Sequence, residues 1–237
     1  MYNQNNTAAQ IMDENKIAAY MTRVMGWMSA GLAISFMTAW IVYITPAIAE
    51  IIFGGYLFYA VLIAQVVLVF ILSANVERIS STAALLMFML YATLNGLTLS
   101  IFIFIYEIAS ILHVLGLTSV LFLIMAVYGA VTRRDMTRIG SMLFFGLIGI
   151  IIASIFNLFM RSEGLYYLIS YAGIIIFIGL TAYDTQRIKN KYLHDNYHGA
   201  DDNSDYIQKH AIFGALILYL DFINLLLHLL RIMGKRR

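Results

Sequence analysis

The chain has 237 residues, 62% of them hydrophobic and only 12% charged, with a mean hydropathy of +0.82. Those proportions exclude an ordinary soluble domain and point to a single polytopic membrane domain. A formal net charge of +2 with dispersed basic residues argues against nucleic-acid binding, and the lack of cysteine excludes disulfides and thiolate metal sites.

Residues 1–22 are polar and show neither the apolar core nor the small-residue cleavage site of a signal peptide. They read as a polar cytoplasmic N-terminus, with residues 23–237 forming one transmembrane domain whose first apolar segment is a retained anchor. A spanning helix needs about 20 mostly apolar residues. Segments 24–44, 56–74, 83–105, 111–131, 141–160, 165–183 and 211–230 meet or approach that length. They predict an all-α membrane protein, a seven-transmembrane-helix bundle. Pro46, the only proline, stands just after the first segment and is placed to end it. Connections are short except for the polar stretch 186–210. It reads as a solvated linker, with an aqueous cation-binding loop through Asp195, Asp201, Asp202 and Asp205 as the alternative. His194 and His198 have the spacing of a helical metal site, which a polar loop need not adopt.

Lysine and arginine placement sets the orientation. With the N-terminus in the cytoplasm, Lys16, Arg23, Arg78, Arg133, Arg134, Arg138, Arg187, Lys189, Lys191 and Lys209 fall inside, and before the last segment only Arg161 falls outside. The tail breaks this pattern, because Arg231, Lys235, Arg236 and Arg237 follow the seventh segment. The last helix either crosses despite its basic tail or re-enters; its apolar length favours crossing. Gly26, Gly31, Gly140, Gly146, Gly149, Gly173 and Gly179 are read as sites of close helix packing.

Two acidic residues stand inside apolar sequence: Asp221, near the middle of its segment, and Asp184, at the end of the sixth. An ionised carboxylate in hydrocarbon is costly, so each should face protein or water. On a helix, residues three, four and seven apart share a face. Asp221, Asn224 and His228 then form one polar stripe, and Thr181, Asp184 and Arg187 another. Consecutive antiparallel helices can bring the stripes together. Two carboxylates in a poor dielectric would share one proton and titrate as a pair, and carboxylate oxygens suit a hard cation such as Ca²⁺. The plain alternative is a hydrogen-bonded pair that only fixes helix register. Asp184 ends its apolar run whereas Asp221 lies about 15 Å into its own, so pairing needs the sixth helix to continue past Gln186.

The run Y-L-D-F-I-N-L-L-L-H-L-L-R-I-M-G at 219–234 resembles the C-terminal signature of the Bax inhibitor-1 (transmembrane Bax inhibitor motif) family. N-G-L-T-L-S-I-F-I-F-I-Y at 95–106 is similar to that family's third helix, and G-L-T-A-Y-D-T-Q-R-I-K at 179–189 to its sixth. The pattern is closest to the bacterial branch, which implies the inner membrane. The resemblance further implies a central C-terminal helix and a pH-sensitive calcium leak. In that picture Asp184 and Asp221 form the pH-sensing pair and tentative Ca²⁺ ligands. It also implies an arginine, placed here on Arg78, that latches the first aspartate in the closed state. Adjacent Glu77 offers Arg78 a competing partner, and a simple surface role stays open.

The leading expectation is therefore a leak for Ca²⁺ in the bilayer, with no resident cofactor. The alternative is a non-conducting regulator that binds a membrane protease or a stress-response partner through the polar N-terminus and the 186–210 stretch. Paired aspartates also serve intramembrane aspartyl proteases. However, Leu218, Tyr219 and Leu220 stand where those enzymes place G-x-G, so the chain is expected not to be an enzyme.

Overall fold

A backbone in hydrocarbon must satisfy its own N–H and C=O groups, so long apolar runs fold as helices. The computed structural model describes the backbone of residues 2–75, 77–197 and 204–237, with side chains at 14–75, 77–194 and 205–237. The described helices are α1 (Tyr2–Ile44), α2 (Pro46–Phe53), α3 (Leu57–Asn75), α4 (Ser81–Ile105), α5 (Ile108–Val131), α6 (Thr137–Met160), α7 (Glu163–Tyr197) and α8 (Ser204–Met233). All but the short α2 are long and apolar enough to cross a membrane, and those seven match the predicted spans. Extended pairing among the described residues is confined to an isolated bridge between Tyr106 and Arg236.

Three boundaries differ from the sequence reading. Helix α1 runs back to Tyr2, through residues expected only as a polar N-terminus. Pro46 follows the end of α1 and also opens α2, at a first-turn position where its missing N–H costs nothing. The stretch 186–210 is mostly helix: α7 continues to Tyr197 and α8 begins at Ser204. Hydropathy marks where lipid ends, not where a helix ends, and Gln, Arg and Lys are good helix formers. Of the proposed loop ligands, the side chains of Asp195, His198, Asp201 and Asp202 lie outside the described residues.

The chain forms two compact units, Met1–Thr98 with Ile188–Leu216, and Leu99–Arg187 with Ile217–Arg237. In the first, α1 packs closely on α4. The Phe88 ring fills the space beside Gly31, and Gly96 abuts the Ser35 backbone. Ser35 Oγ donates to Ala92 O at 2.7 Å, and Gln65 Nε2 reaches across from α3 to Leu94 O at 3.1 Å. Polar bonds fix the start of α8. Asp205 accepts from the Ser81 N–H at 3.1 Å and from the Ser81 hydroxyl, so its carboxylate caps the first turn of α4. Glu77, in the turn before α4, takes His210 Nε2 at 3.1 Å and Lys191 Nζ at 3.6 Å. Lys209 Nζ donates to the Glu77 carbonyl at 3.0 Å.

In the second unit the core comprises Tyr106, Val114, Phe177, Leu180, Leu225, Leu229 and Leu230, and the Phe122 and Phe222 rings meet edge to face at 5.5 Å. Most of the glycines read as packing sites do pack. Gly140 meets Tyr183, Gly146 meets Ile176, Gly173 meets His228 and Gly179 meets Leu143, whereas Gly149, like Gly26 in the first unit, has open space. Helix α8 is unbroken over 30 residues, about 45 Å. Its basic tail is pinned to the α4–α5 turn. Lys235 Nζ pairs with Glu107 Oε1 at 2.9 Å, the Glu107 N–H donates to Lys235 O at 2.9 Å, and the Arg237 N–H donates to Ile105 O at 3.0 Å. The Glu107 hydrogen bond and charge hold the Lys235 ammonium above its ordinary pKa. The tail that defied the charge rule is thus partnered by an acid.

Burial tends to raise the Glu77 carboxyl, but the His210 hydrogen bond and the charges of His210, Lys191 and Lys209 outweigh it and hold the group below its ordinary value. A carboxyl with a depressed folded-state pKa stabilises the fold above the ordinary carboxylate range and loses that contribution as pH falls through the folded value. Glu77→Gln should therefore lower the Tm of the detergent-solubilised protein at about pH 7 and leave it close to the parent's at about pH 3. An equal loss at both pH values would contradict this.

Candidate functional site

The site is built from α6, α7 and α8 within the second unit. Three contacts fix α7 around Asp184. A Cβ on Gly129 of α5 would run into the Ala182 carbonyl, and one on Gly140 of α6 would run into the Tyr183 ring. Two residues after Asp184, buried Gln186 clamps the α5–α6 turn: its Oε1 accepts from the Met136 N–H at 3.0 Å, and its Nε2 donates to Arg134 O at 2.8 Å and Thr132 O at 3.3 Å. Sequence reasoning set Gln186 at the start of the 186–210 stretch and had pairing require the helix to continue past it, but gave its side chain no partner. The available signal was a polar amide continuing the period of an apolar helix.

Asp184 and Asp221 line one cavity of about 710 Å³. Helix α6 contributes Thr137, Gly140, Ser141, Phe144, Leu147 and Ile151, a single helical face. From α7 come Phe177, Leu180, Tyr183, Asp184 and Arg187, and from α8 Ile217, Leu220, Asp221 and Asn224. Only 6% of the apolar stretch of α6 is buried, against 67% for α8, so the α6 side is the thin wall and the α8 side the sheltered one. Helix α7 continues well beyond Asp184, to Tyr197, the continuation that the pairing argument called for.

The two carboxylates are not equivalent. Asp184 Oδ1 has the Arg187 guanidinium at 3.9 Å, one turn along α7 and largely exposed. Asp221 is 5% exposed, and its Oδ2 has no hydrogen-bond partner among the described residues. A buried carboxylate oxygen without a donor is costly in a protein interior, so Asp221 is the group in this site most in need of a ligand, a proton or water.

The remaining sequence candidates separate. Asn224 lines the cavity while its Nδ2 donates to Leu220 O at 2.8 Å. Thr181 is fully buried and its hydroxyl donates to Phe177 O at 2.7 Å, so it serves its own helix. His228 lies against Gly173 with its ring stacked on Phe177 at 5.6 Å, away from the cavity lining, and its Nδ1 is unpartnered among the described residues. Arg78 belongs to the first unit, on the exposed turn before α4, where its backbone N–H donates to Asn75 O at 2.8 Å. Glu77, the expected rival partner of Arg78, is engaged by His210 and Lys191 instead. Among the described residues, no group of three or more His, Cys, Asp or Glu side chains could hold a metal ion.

A sequence-family model described as inhibitor of apoptosis-promoting Bax1 matches residues 17–237. The inner membrane protein YbhL of Escherichia coli strain K12 is 43% identical over 222 residues, 93% of each chain. A protein of Borreliella burgdorferi is 43% identical over 231 residues, 96% of this chain and 95% of its own. One from Deinococcus radiodurans is 35% identical over 223 residues, 94% and 93% respectively.

If Gln186 sets the position of Asp184, Gln186→Leu should destabilise the protein by roughly 1–3 kcal/mol, the cost of stranding buried backbone groups, as read by chemical or thermal unfolding in detergent. A change of under about 0.5 kcal/mol, within the range of an ordinary surface substitution, would show that the clamp does not hold the turn.

Proposed function

The chain belongs to the Bax inhibitor-1 family of membrane proteins, and from that premise we propose that it is a low-throughput, pH-sensitive calcium leak gated by Asp184 and Asp221. The observation that carries this reading is the one cavity lined by both Asp184 and Asp221, with a buried oxygen of Asp221 left without a hydrogen-bond partner among the described residues. Calcium takes six to eight oxygen ligands when held tightly. Two carboxylates and an asparagine amide fall well short of that, which suits an ion that passes rather than one that stays. Carboxylates in a pore select cations by charge.

Gating follows from the pair's shared titration. A proton or a nearby cation between the acids keeps α7 and α8 together. With both acids ionised, repulsion drives the helices apart or recruits a cation. Arg78, exposed in the turn before α4, is the proposed closed-state latch. By the distribution of lysine and arginine the N-terminus is cytoplasmic. The E. coli relative is described as an inner membrane protein, and we place this chain in the same membrane. The proposed role is transport, without a catalytic step.

Purified protein in liposomes loaded with a calcium-sensitive dye should pass Ca²⁺ at a rate that depends on pH, and Asp221→Asn should flatten that dependence. Flux indistinguishable from that of empty vesicles, across the pH range, would remove the leak.

A further inference from the structure

We propose that the α6–α7–α8 cavity is a binding site for amphiphilic organic monocations, with a primary ammonium head at Asp221 and a hydrocarbon or aryl body along α6. The inference rests on the same two-carboxylate cavity as the leak reading but requires no ion flux.

Charge decides the head group. Asp184 already has a cation, the Arg187 guanidinium at 3.9 Å, whereas Oδ2 of Asp221 has no hydrogen-bond partner among the described residues. One unsatisfied, buried carboxylate calls for one positive charge that also brings hydrogen-bond donors, which an –NH₃⁺ group supplies and a quaternary ammonium does not. A tightly held divalent metal fits poorly, since the described residues offer no third acidic or imidazole ligand. An anion fits worse, with two carboxylates in the wall.

Chemistry and size decide the body. Thr137, Ser141, Arg187 and Asn224 add polar groups, but most of the remaining lining is apolar, with Phe144, Leu147 and Ile151 on α6 and Phe177 and Leu180 on α7. The α6 positions follow one face over 14 residues, a strip about 21 Å long. A volume of about 710 Å³, mostly hydrocarbon-lined with a few convergent polar groups, has the character of a small-molecule site. Tyr183 and Phe144 add aromatic faces, which attract organic cations as well as apolar bodies. Exposed Phe144 and Ile151 also open the strip toward the lipid side, the route by which an amphiphile would arrive.

The test is isothermal titration of the full chain in zwitterionic nanodiscs with 2-phenylethylammonium, 2-phenylethanol and 3-phenylpropanoate, using empty nanodiscs as blank. Saturable heat is expected for the ammonium alone. Asp221→Asn should weaken it by at least about tenfold, equivalent to 1.4 kcal/mol. Ser141→Trp, on the exposed face of α6, should weaken it likewise by filling the mouth, and it guards against a folding defect in the first variant. Ser29→Trp, in the other unit, should leave it unchanged. No saturable heat, equal binding of the alcohol, or ammonium binding untouched by Asp221→Asn or Ser141→Trp would overturn the proposal. Binding without calcium flux would uphold this site and sink the leak reading alone.

Discussion

A carboxylate in the middle of an apolar helix must be sheltered, and the architecture of the second unit answers to that requirement at Asp221. Placing an acid at the centre of a membrane helix costs about 2.5–3.5 kcal/mol even on insertion scales. The chain meets this by making α8 the most buried of its spans and by opening a cavity beside the acid. Burial leaves Asp221 Oδ2 without a hydrogen-bond partner among the described residues, and the cavity that the residue lines lies beside it.

The walls of the cavity come from uneven packing. Where α5 and α6 carry Gly129 and Gly140, their backbones close tightly on α7 around Ala182 and Tyr183. From Gly140, which itself lines the cavity, through Ser141, Phe144 and Ile151, α6 borders open space. The tight contact and the cavity meet at Gly140 and Tyr183, so Asp184 is flanked by close packing while still lining the cavity. Rigid support and open access are both needed if titration of the acids is to move the helices rather than only the side chains.

Much of this was legible in the sequence, for an identifiable reason. Hydropathy reports the environment directly, so the seven spans and the two anomalous aspartates stand out from the background. Helical spacing placed Asn224 with Asp221 correctly, because one turn preserves the face. It did not place Thr181 or His228, because spacing says nothing about what a side chain bonds to. Thr181 spends its hydroxyl on its own helix at Phe177 O, and His228 is taken up by packing on Gly173 and Phe177. The continuation of α7 past Gln186 was required by the pairing argument, but the partners of Gln186 on the α5–α6 turn and the anchoring of the tail by Lys235 on Glu107 were hidden for a related reason. Both depend on polar partners distant in sequence.

The central claim is that the side chains at 184 and 221 share one water-accessible cavity, and the absence of native cysteine makes it directly measurable. In membrane vesicles carrying Asp184→Cys with Asp221→Cys and a protease site inserted at 198–203, a short bifunctional thiosulfonate should label both positions. It should also hold the two fragments together after cleavage, while either single cysteine variant falls apart. Thiols that resist the reagent, or that react without ever bridging, would contradict the account.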